Sequence, residues 1–466
     1  MKKLFVADII DKVGENVTLY GWAMTIRDHR KVIFIDLRDR SGVVQVVGGE
    51  ELRKISPEDV ICITGIVKKR PAKLFNPKLV TGTIEIEAQK YTILSKAKTL
   101  PFPIDTDGYE IDEELRLKYR YLDMRRPRMI RNLTARSKIT TFIRNYLMQN
   151  HFIEIETPLL TKTTPEGARD FIVPSRLQKG KFYALPQSPQ QYKQLLMVGG
   201  IERYFQIVRC FRDEDPRADR AYGEFTQLDL EMSFVNQNDI LELTEKMFTQ
   251  LIKELFPEKQ MSMIPWPRLS HNEVIEKYGS DKPDLRKNKK DHNELAFAWV
   301  VDFPLFKKQT SEDYFHGSGK EQFAPSHHMF TAPHQDDIIL LDTYPLQVRG
   351  LQHDLVLNGY EVGGGSIRIH DPIIQQKIFD LIGFTQKQSK QFDHMLTAFT
   401  FGIPPHGGIA PGIDRLLAAV LGEHSVREVI AYPISSGGKT AVMDAPSEAS
   451  IEQLEELGIH LQDDTQ

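Results

Sequence analysis

The stretch that most constrains this chain runs from Arg203 to Phe234, RYFQIVRCFRDEDPRADRAYGEFTQLDLEMSF, and reads as two apolar strands joined by a charged loop. The first, YFQIVRCF, mixes β-branched and aromatic residues. In the second, alternation puts Glu224, Thr226, Leu228, Leu230 and Met232 on one face and Phe225, Gln227, Asp229 and Glu231 on the other. Polar groups at period two beside an aromatic predict a sheet whose open face is a binding floor, with Arg209, Arg212, Asp213 and Glu214 supplied by the strand opposite. On the residues alone, a solvated face with cross-strand ion pairs stands as the plainer alternative.

At 466 residues the chain exceeds one ordinary core, and about 150 residues per domain gives two or three domains. Composition is globular, with 41% hydrophobic and 27% charged residues. No apolar run approaches the roughly 18 residues of a membrane span, and the first ten residues lack signal or transit character, so no membrane association and a cytoplasmic location are expected. Cys62 and Cys210 both sit in strand patterns, which predicts buried free thiols. The net charge is −4, yet residues 1–95 carry 16 Lys and Arg against 12 Asp and Glu. Phosphate binding follows such local excess and not the total.

Within residues 1–95, the segments VTLYGWAMTI, KVIFIDLRD, GVVQVVG, DVICITGIVKK and GTIEIEAQKYTIL predict five short strands without a long helix. That pattern suggests a small Greek-key barrel of the oligonucleotide-binding (OB) type. Arg27, Phe34 and Gln45 then fall on neighbouring strands: a cation for phosphate, an aromatic to stack a base and an amide to read its edge. Residues 96–130 read as a hinge, with Pro101 and Pro103 followed by the basic run RLKYRYLDMRRPRMIR. A helical pattern from Asn132 then leads into the strand-like FIEIETPLL at 152–160, and a second amphipathic helix is predicted over 238–255.

FRDED followed by EFTQLDLE resembles motif 2 of class II aminoacyl-tRNA synthetases of the bacterial aspartyl type. Further stretches resemble the same family in the same order: TPEGARDF (164–171), ALPQSPQQYKQLL (184–196), NGYEVGGGSIRIH (358–370) and PPHGGIAPGIDRLLA (404–418). The resemblance implies an α+β fold, a class II antiparallel sheet flanked by helices with an N-terminal OB-fold barrel. The implied division is an anticodon-binding barrel at 1–95, a linker at 96–130 and a catalytic domain at 131–466. The helix and strand after Asn132 resemble motif 1, which implies a homodimer.

The implied reaction joins L-aspartate to tRNA-Asp through an aspartyl-adenylate formed from ATP. By resemblance Arg212 bridges the α-phosphate and the amino acid's carboxylate, a role suited to a planar guanidinium. Phe225 lies under the adenine, Arg415 over it, and Glu214 accepts from its amino group. Asp354 and Glu361 hold Mg²⁺ together with phosphate oxygens, and His327 and His328 stand near the phosphates. Lys193 and Arg368 clamp the substrate side-chain carboxylate; Glu166, Ser188, Gln190 and Asp229 surround its amino group, with Gln227 beside it. Two cations would disfavour a neutral amide. In the barrel, Arg27, His29, Phe34 and Gln45 match the anticodon contacts. Relatives with His at the position of His29 include several that also charge tRNA-Asn, which extends the expectation to that tRNA.

The chain departs from the family in three places. From Arg286 to AFAWVVDFP (296–304) only about ten polar residues intervene, so the domain-sized insertion of bacterial relatives is absent near 287–296. The loop DRAYGEF is one residue longer than usual, and Pro411 replaces a Phe. A class II-like asparagine synthetase and a non-catalytic tRNA-binding paralogue are the rival readings. The first would have no use for the barrel, and the second would be expected to lack Arg212, Glu361 or Arg415.

Overall fold

The computed structural model describes residues 4–163, 168–214, 222–309 and 323–461, and the chain divides into two compact units, Met1–Pro103 and Ile104–Gln466. The first is a closed barrel of β1 (Asn16–Asp28), β2 (Ile33–Asp39), β3 (Gly42–Gly48), β4 (Val60–Lys69) and β5 (Ile84–Ser95), ordered β1-β2-β3-β5-β4. Alternation along the strands sends Leu19, Ile35, Leu37, Val44, Val46, Ile61, Ile63 and Ile86 inward to full burial. Closure leaves no free sheet edge.

The second unit is built on an eight-stranded sheet of β6 (Ile153–Glu154), β7 (Arg203–Arg212), β8 (Gly223–Ser233), β9 (Arg268–Ser270), β10 (Phe297–Val301), β11 (Gln352–Leu357), β12 (Tyr360–Ile367) and β13 (His406–Pro411). Its order is β9-β10-β11-β12-β13-β8-β7-β6. The six central strands pair antiparallel, as expected, while β9 and β6 join the edges in parallel. Gly408 is needed at the β8–β13 contact, since a Cβ there would lie 1.9 Å from the Leu230 carbonyl oxygen.

The predicted helices form. The α-helix over Pro127–Gln149 begins with Pro127 in its first turn and buries Ile139, Ile143 and Leu147 at four-residue spacing. The helix over Gln237–Leu255 starts in a capping box between Asn236 and Asp239 and buries Ile240, Leu241, Met247, Phe248, Leu251 and Ile252. Both pack into the core shared with the sheet. The expected strand 152–160 is shorter, Ile153–Glu154 alone, because only β7 is available to pair with it and Ile153, Leu159 and Leu160 remain exposed.

The linker expected over 96–130 is corrected in its second half. Two short helices, Glu113–Lys118 and Arg120–Asp123, belong to the larger unit, and Arg116, Arg120, Arg126 and Arg128 are buried. Arg116 donates to both oxygens of Glu428 at 3.0 and 3.2 Å, and Arg128 bridges Glu428 and Glu423 at 3.0 and 2.9 Å. Arg120 and Arg126 converge on Asp123 at 2.8 and 2.7 Å. Basic spacing in the sequence thus reflects buried carboxylates, not a solvated face. Burial alone would raise the Glu428 pKa, but hydrogen bonding and the charges of Arg116, Arg128 and Arg120 hold it below the ordinary value. Removing one partner of such a buried pair costs about 3–5 kcal/mol. Glu428→Ala is therefore expected to lower the urea midpoint of the catalytic unit at pH 7 by that equivalent, and a loss under about 1 kcal/mol would contradict this bracing role.

Candidate active site

β8 supplies the floor anticipated from its alternation. Phe225, Gln227 and Asp229 line one cavity of about 260 Å³ with Ser188, Gln190, Lys193, Arg212, Glu214, His327, His328, Glu361, Gly363, Gly364, Arg368 and Arg415. The opposite face of the hairpin does carry the plainer arrangement, an ion pair of Arg209 with Glu224 at 2.6 Å. Thirteen of the residues expected at the reaction site therefore meet in one place. Glu166 lies outside the described residues, as does most of the loop after Glu214.

At the deep end four fully buried charges interlock. Lys193, on the helix Gln190–Val198, donates to Asp229 at 2.9 Å and lies 3.3 Å from Glu231; Arg368, just after β12, makes a fork to both oxygens of Glu231 at 2.9 and 3.1 Å. Arg368 also donates to Ser366 at 2.6 Å and meets His328 Nε2 at 2.7 Å. Burial would raise the Glu231 pKa, yet Arg368 and Lys193 bring it down to about 2. Burial pushes Asp229 up despite Lys193, and its Oδ1 has no hydrogen-bond partner. Here the expectation of two uncompensated cations is corrected: each already faces a carboxylate, so net charge by itself does not select an acid over an amide. Sequence reasoning named Asp229 but passed over Glu231, which the period-two pattern of β8 puts on the same face.

At the other end the Arg212 guanidinium stands over the Phe225 ring, 5.1 Å from its centroid. Arg415 follows Asp414 at the start of the helix Ile413–Leu421 and donates to the Glu361 carbonyl. Asp414 anchors that helix start: it accepts from the Thr226 backbone N–H at 2.9 Å and from Arg136, which also donates to Thr226 Oγ1 at 2.9 Å. The aromatic floor and the cation are thereby fixed to each other through one carboxylate. Gln227 Oε1 accepts from the Cys210 thiol at 3.3 Å. Cys210 is buried and Cys62 half-buried, both free thiols.

Between the two ends, β11 and β12 bring two carboxylates together across Gly364, which pairs with Asp354. A Cβ on Gly364 would sit 3.2 Å from Asp354 Oδ1, 3.4 Å from His327 Nε2 and 3.8 Å from Glu361 Oε1. Only glycine leaves that cradle open. Burial first, then the Glu361 charge, holds Asp354 well above the usual carboxylate range. Two carboxylates facing one space are hard oxygen ligands that suit a divalent cation. Among the described residues no three His, Cys, Asp or Glu side chains are arranged to hold a metal, so two protein carboxylates are what this centre offers. The His327 and His328 rings lie 4.4 Å apart, tilted by 38°. Burial and then the Arg368 charge bring His327 down to about 3, and burial likewise lowers His328, so both rings are neutral at physiological pH.

The barrel candidates also cluster. Arg27 pairs in register with Phe34, and Asp36 with Gln45. The Arg27 guanidinium forks onto Asp36 at 2.8 and 2.9 Å and reaches Gln45 at 3.3 Å. His29 is exposed at the β1–β2 turn, edge-on to Phe34 at 5.6 Å. Gln45 is held by Arg70 and Glu85, neither of which the sequence singled out.

The depressed Glu231 pKa carries a stability statement. An unfolded Glu titrates near 4.3, so the ionised form stabilises the fold fully above that pH, and the contribution is lost as pH falls toward about 2. Glu231→Gln is expected to destabilise the catalytic unit by about 3–5 kcal/mol at pH 7, with the deficit shrinking below pH 4. Urea titrations of both proteins at pH 7 and pH 3 check it, and a pH-independent deficit would contradict the assignment.

Two family descriptions match the chain: "tRNA synthetases class II (D, K and N)" over residues 112–436, and "OB-fold nucleic acid binding domain" over residues 17–94. Curated relatives named "Aspartate--tRNA(Asp/Asn) ligase" include those of Rubrobacter xylanophilus, 39% identical with 96% of this chain and 95% of the relative covered, and Dictyoglomus turgidum, 41% identical with 96% of each covered. The first alignment spans 580 positions against 466 residues here, so more than a hundred positions of that relative lack a counterpart in this chain. Among solved structures, asparaginyl-tRNA synthetase from Pyrococcus horikoshii with asparaginyl-adenylate has a TM-score of 0.73 at 22% identity, covering 93% of this chain and 98% of that one. Aspartyl-tRNA synthetase from Entamoeba histolytica gives 0.70 at 23%, with 92% and 91% covered, which supports the fold. No described helix is long and apolar enough to cross a membrane. The chain belongs to the class II aminoacyl-tRNA synthetases of the aspartyl, lysyl and asparaginyl group, with an OB-fold nucleic-acid-binding domain at its N-terminal side.

Proposed function

We propose that this enzyme activates L-aspartate with ATP and transfers it to tRNA-Asp and tRNA-Asn, acting as a cytoplasmic homodimer. The observation that carries the reading is the single cavity with a stacking slot at Phe225 and a buried ion-pair quartet at its far end, together with the names of relatives matched over nearly the whole chain. The adenine would enter between Phe225 and Arg415, with Arg212 swinging from the Phe225 face onto the α-phosphate and Glu214 accepting from the adenine amino group. The aspartate ammonium would approach the unpartnered Oδ1 of Asp229, with Ser188, Gln190, Gln227 and Glu166 around it, and its side-chain carboxylate would take the remaining N–H groups of Lys193 and Arg368. A carboxylate oxygen of aspartate attacks the α-phosphorus, the bond to the bridging oxygen breaks, and pyrophosphate leaves with that electron pair. No protein nucleophile is required; positioning and charge neutralisation lower the barrier. Asp354 and Glu361 are the residues that would hold Mg²⁺, which when bound neutralises phosphate charge, while His327 and His328, being neutral, would line the phosphates without adding charge. The exposed Ile153, Leu159 and Leu160 beside a short edge strand support a second copy covering that edge.

His29 supports the wider tRNA range. The two anticodons differ as C against U in the third place, and an imidazole beside the Phe34 platform can accept from the cytosine amino group or donate to the uracil carbonyl. Equal-concentration charging of the two transcripts tests this: comparable rates are expected, and a preference for tRNA-Asp above about a hundredfold, roughly 2.7 kcal/mol, would mark a discriminating enzyme. Arg212→Ala is expected to cut aspartate-dependent ATP–pyrophosphate exchange by more than about a hundredfold, and exchange within tenfold of the parent would remove Arg212 from its role. Phe34→Ala should leave exchange unchanged and weaken tRNA charging by about 1–3 kcal/mol, the usual worth of one stacked base.

A further inference from the structure

One charged contact at the mouth of the cavity falls outside these roles. Lys282 Nζ lies 3.6 Å from Glu361 Oε2, with the two side chains 35% and 31% exposed. The lysine is delivered there by a well-fixed loop. Its helix, His271–Tyr278, stops at Gly279 with φ 66°, the Lys282 N–H donates to Ser280 Oγ at 3.1 Å, and Arg286 forks onto Asp284 at 3.0 and 2.8 Å. The loop lies against the turn joining β11 to β12, where a Cβ on Gly359 (φ 87°) would touch Asp284 Cβ at 3.4 Å and the Lys282 carbonyl at 3.9 Å. That turn is itself pinned: Asn358 accepts from the Ala296 N–H at 2.8 Å and donates to the Glu294 carbonyl at 3.0 Å. Backbone contacts thus aim a long flexible cation at the outer carboxylate of the Asp354–Glu361 pair, on the side open to solvent.

A single ion pair about one-third exposed contributes only about 0.2–1 kcal/mol, so this contact is weak as a structural brace and easily exchanged. The four-carbon stem lets the ammonium move several ångströms without disturbing the loop. We propose that Lys282 is a mobile counter-ion of the leaving group: it neutralises Glu361 in the ligand-free enzyme and moves to the β- and γ-phosphates when ATP and its cation take over that carboxylate. There it balances charge as the bridging oxygen departs with the electron pair of the broken phosphorus–oxygen bond, and no proton is transferred. The inference rests on the ATP-dependent reading above, and it predicts an effect on the polyphosphate side alone.

Lys282→Gln and Lys282→Arg test it through the KM values for ATP, pyrophosphate and aspartate in the exchange reaction, beside a Mn²⁺ titration of the ligand-free protein followed by electron paramagnetic resonance. Lys282→Gln is expected to raise KM for ATP and pyrophosphate about tenfold, equivalent to about 1.4 kcal/mol, with KM for aspartate unchanged; Lys282→Arg should restore most of the affinity. Mn²⁺ should bind ligand-free Lys282→Gln more tightly than the parent, because the competing ammonium is gone. Unchanged KM values for ATP and pyrophosphate, or a rise shared equally with aspartate, would overturn the proposal, as would Mn²⁺ affinity equal to the parent's. A parent enzyme with no exchange at all would instead defeat the ATP-dependent reading, and the Mn²⁺ comparison would still decide whether Lys282 competes for Glu361.

Discussion

The catalytic unit is organised around four buried charges, Lys193, Asp229, Glu231 and Arg368, that meet with no solvent to screen them. They come from three places: Lys193 from the helix Gln190–Val198, Asp229 and Glu231 from strand β8, and Arg368 from just after β12. Burying any of them alone would be prohibitive, so the elements that carry them can pack only in the arrangement that pairs all four. The same pairing leaves one carboxylate oxygen, Asp229 Oδ1, without a hydrogen-bond partner beside the cavity that Lys193, Asp229 and Arg368 line. Each of the two cations already faces a carboxylate, so an excess of positive charge does not by itself distinguish an acid from an amide.

A second layer of buried charge fixes the other half of the site. Arg116, Arg128 and Glu428, with Glu423 just beyond the helix that begins at Ile413, tie the 113–131 segment to the end of the chain's last core helix. At that helix's other end, Asp414 holds the Thr226 backbone N–H. The spacing of Phe225 and Arg415 is thus braced at both ends of one helix by carboxylates, Asp414 at its start and Glu423 just past its end. Ion pairs of this kind add little net stability over apolar packing, but they are intolerant of misregistration, which suits them to holding Phe225 and Arg415 at a constant separation.

Much of the site was legible in the primary structure because it is carried by local patterns. Period-two alternation in β8 announced a polar floor, and the ordered motifs brought thirteen named residues to one cavity. The five barrel strands were legible for the same reason, each being a short alternating segment bounded by turn residues. What failed was the reading of charge. The basic run 116–131 read as part of a hinge, and Glu231 as one more polar residue, because a sequence gives the sign of a side chain but not the carboxylate that will face it.

By itself, then, the amino-acid sequence determined the element types, the barrel, the central hairpin and the family to which the chain belongs, since these depend on contacts between near neighbours and on ordered motifs. Only the tertiary structure decided which charges are buried, that Lys193 and Arg368 are already compensated, that Asp354 and Glu361 share the space over Gly364, and that Lys282 reaches the second of them. The physical reason is that electrostatic energies depend on burial and on separations between residues from 36 to 137 positions apart in the chain. Those separations are fixed by packing, and no local pattern records them.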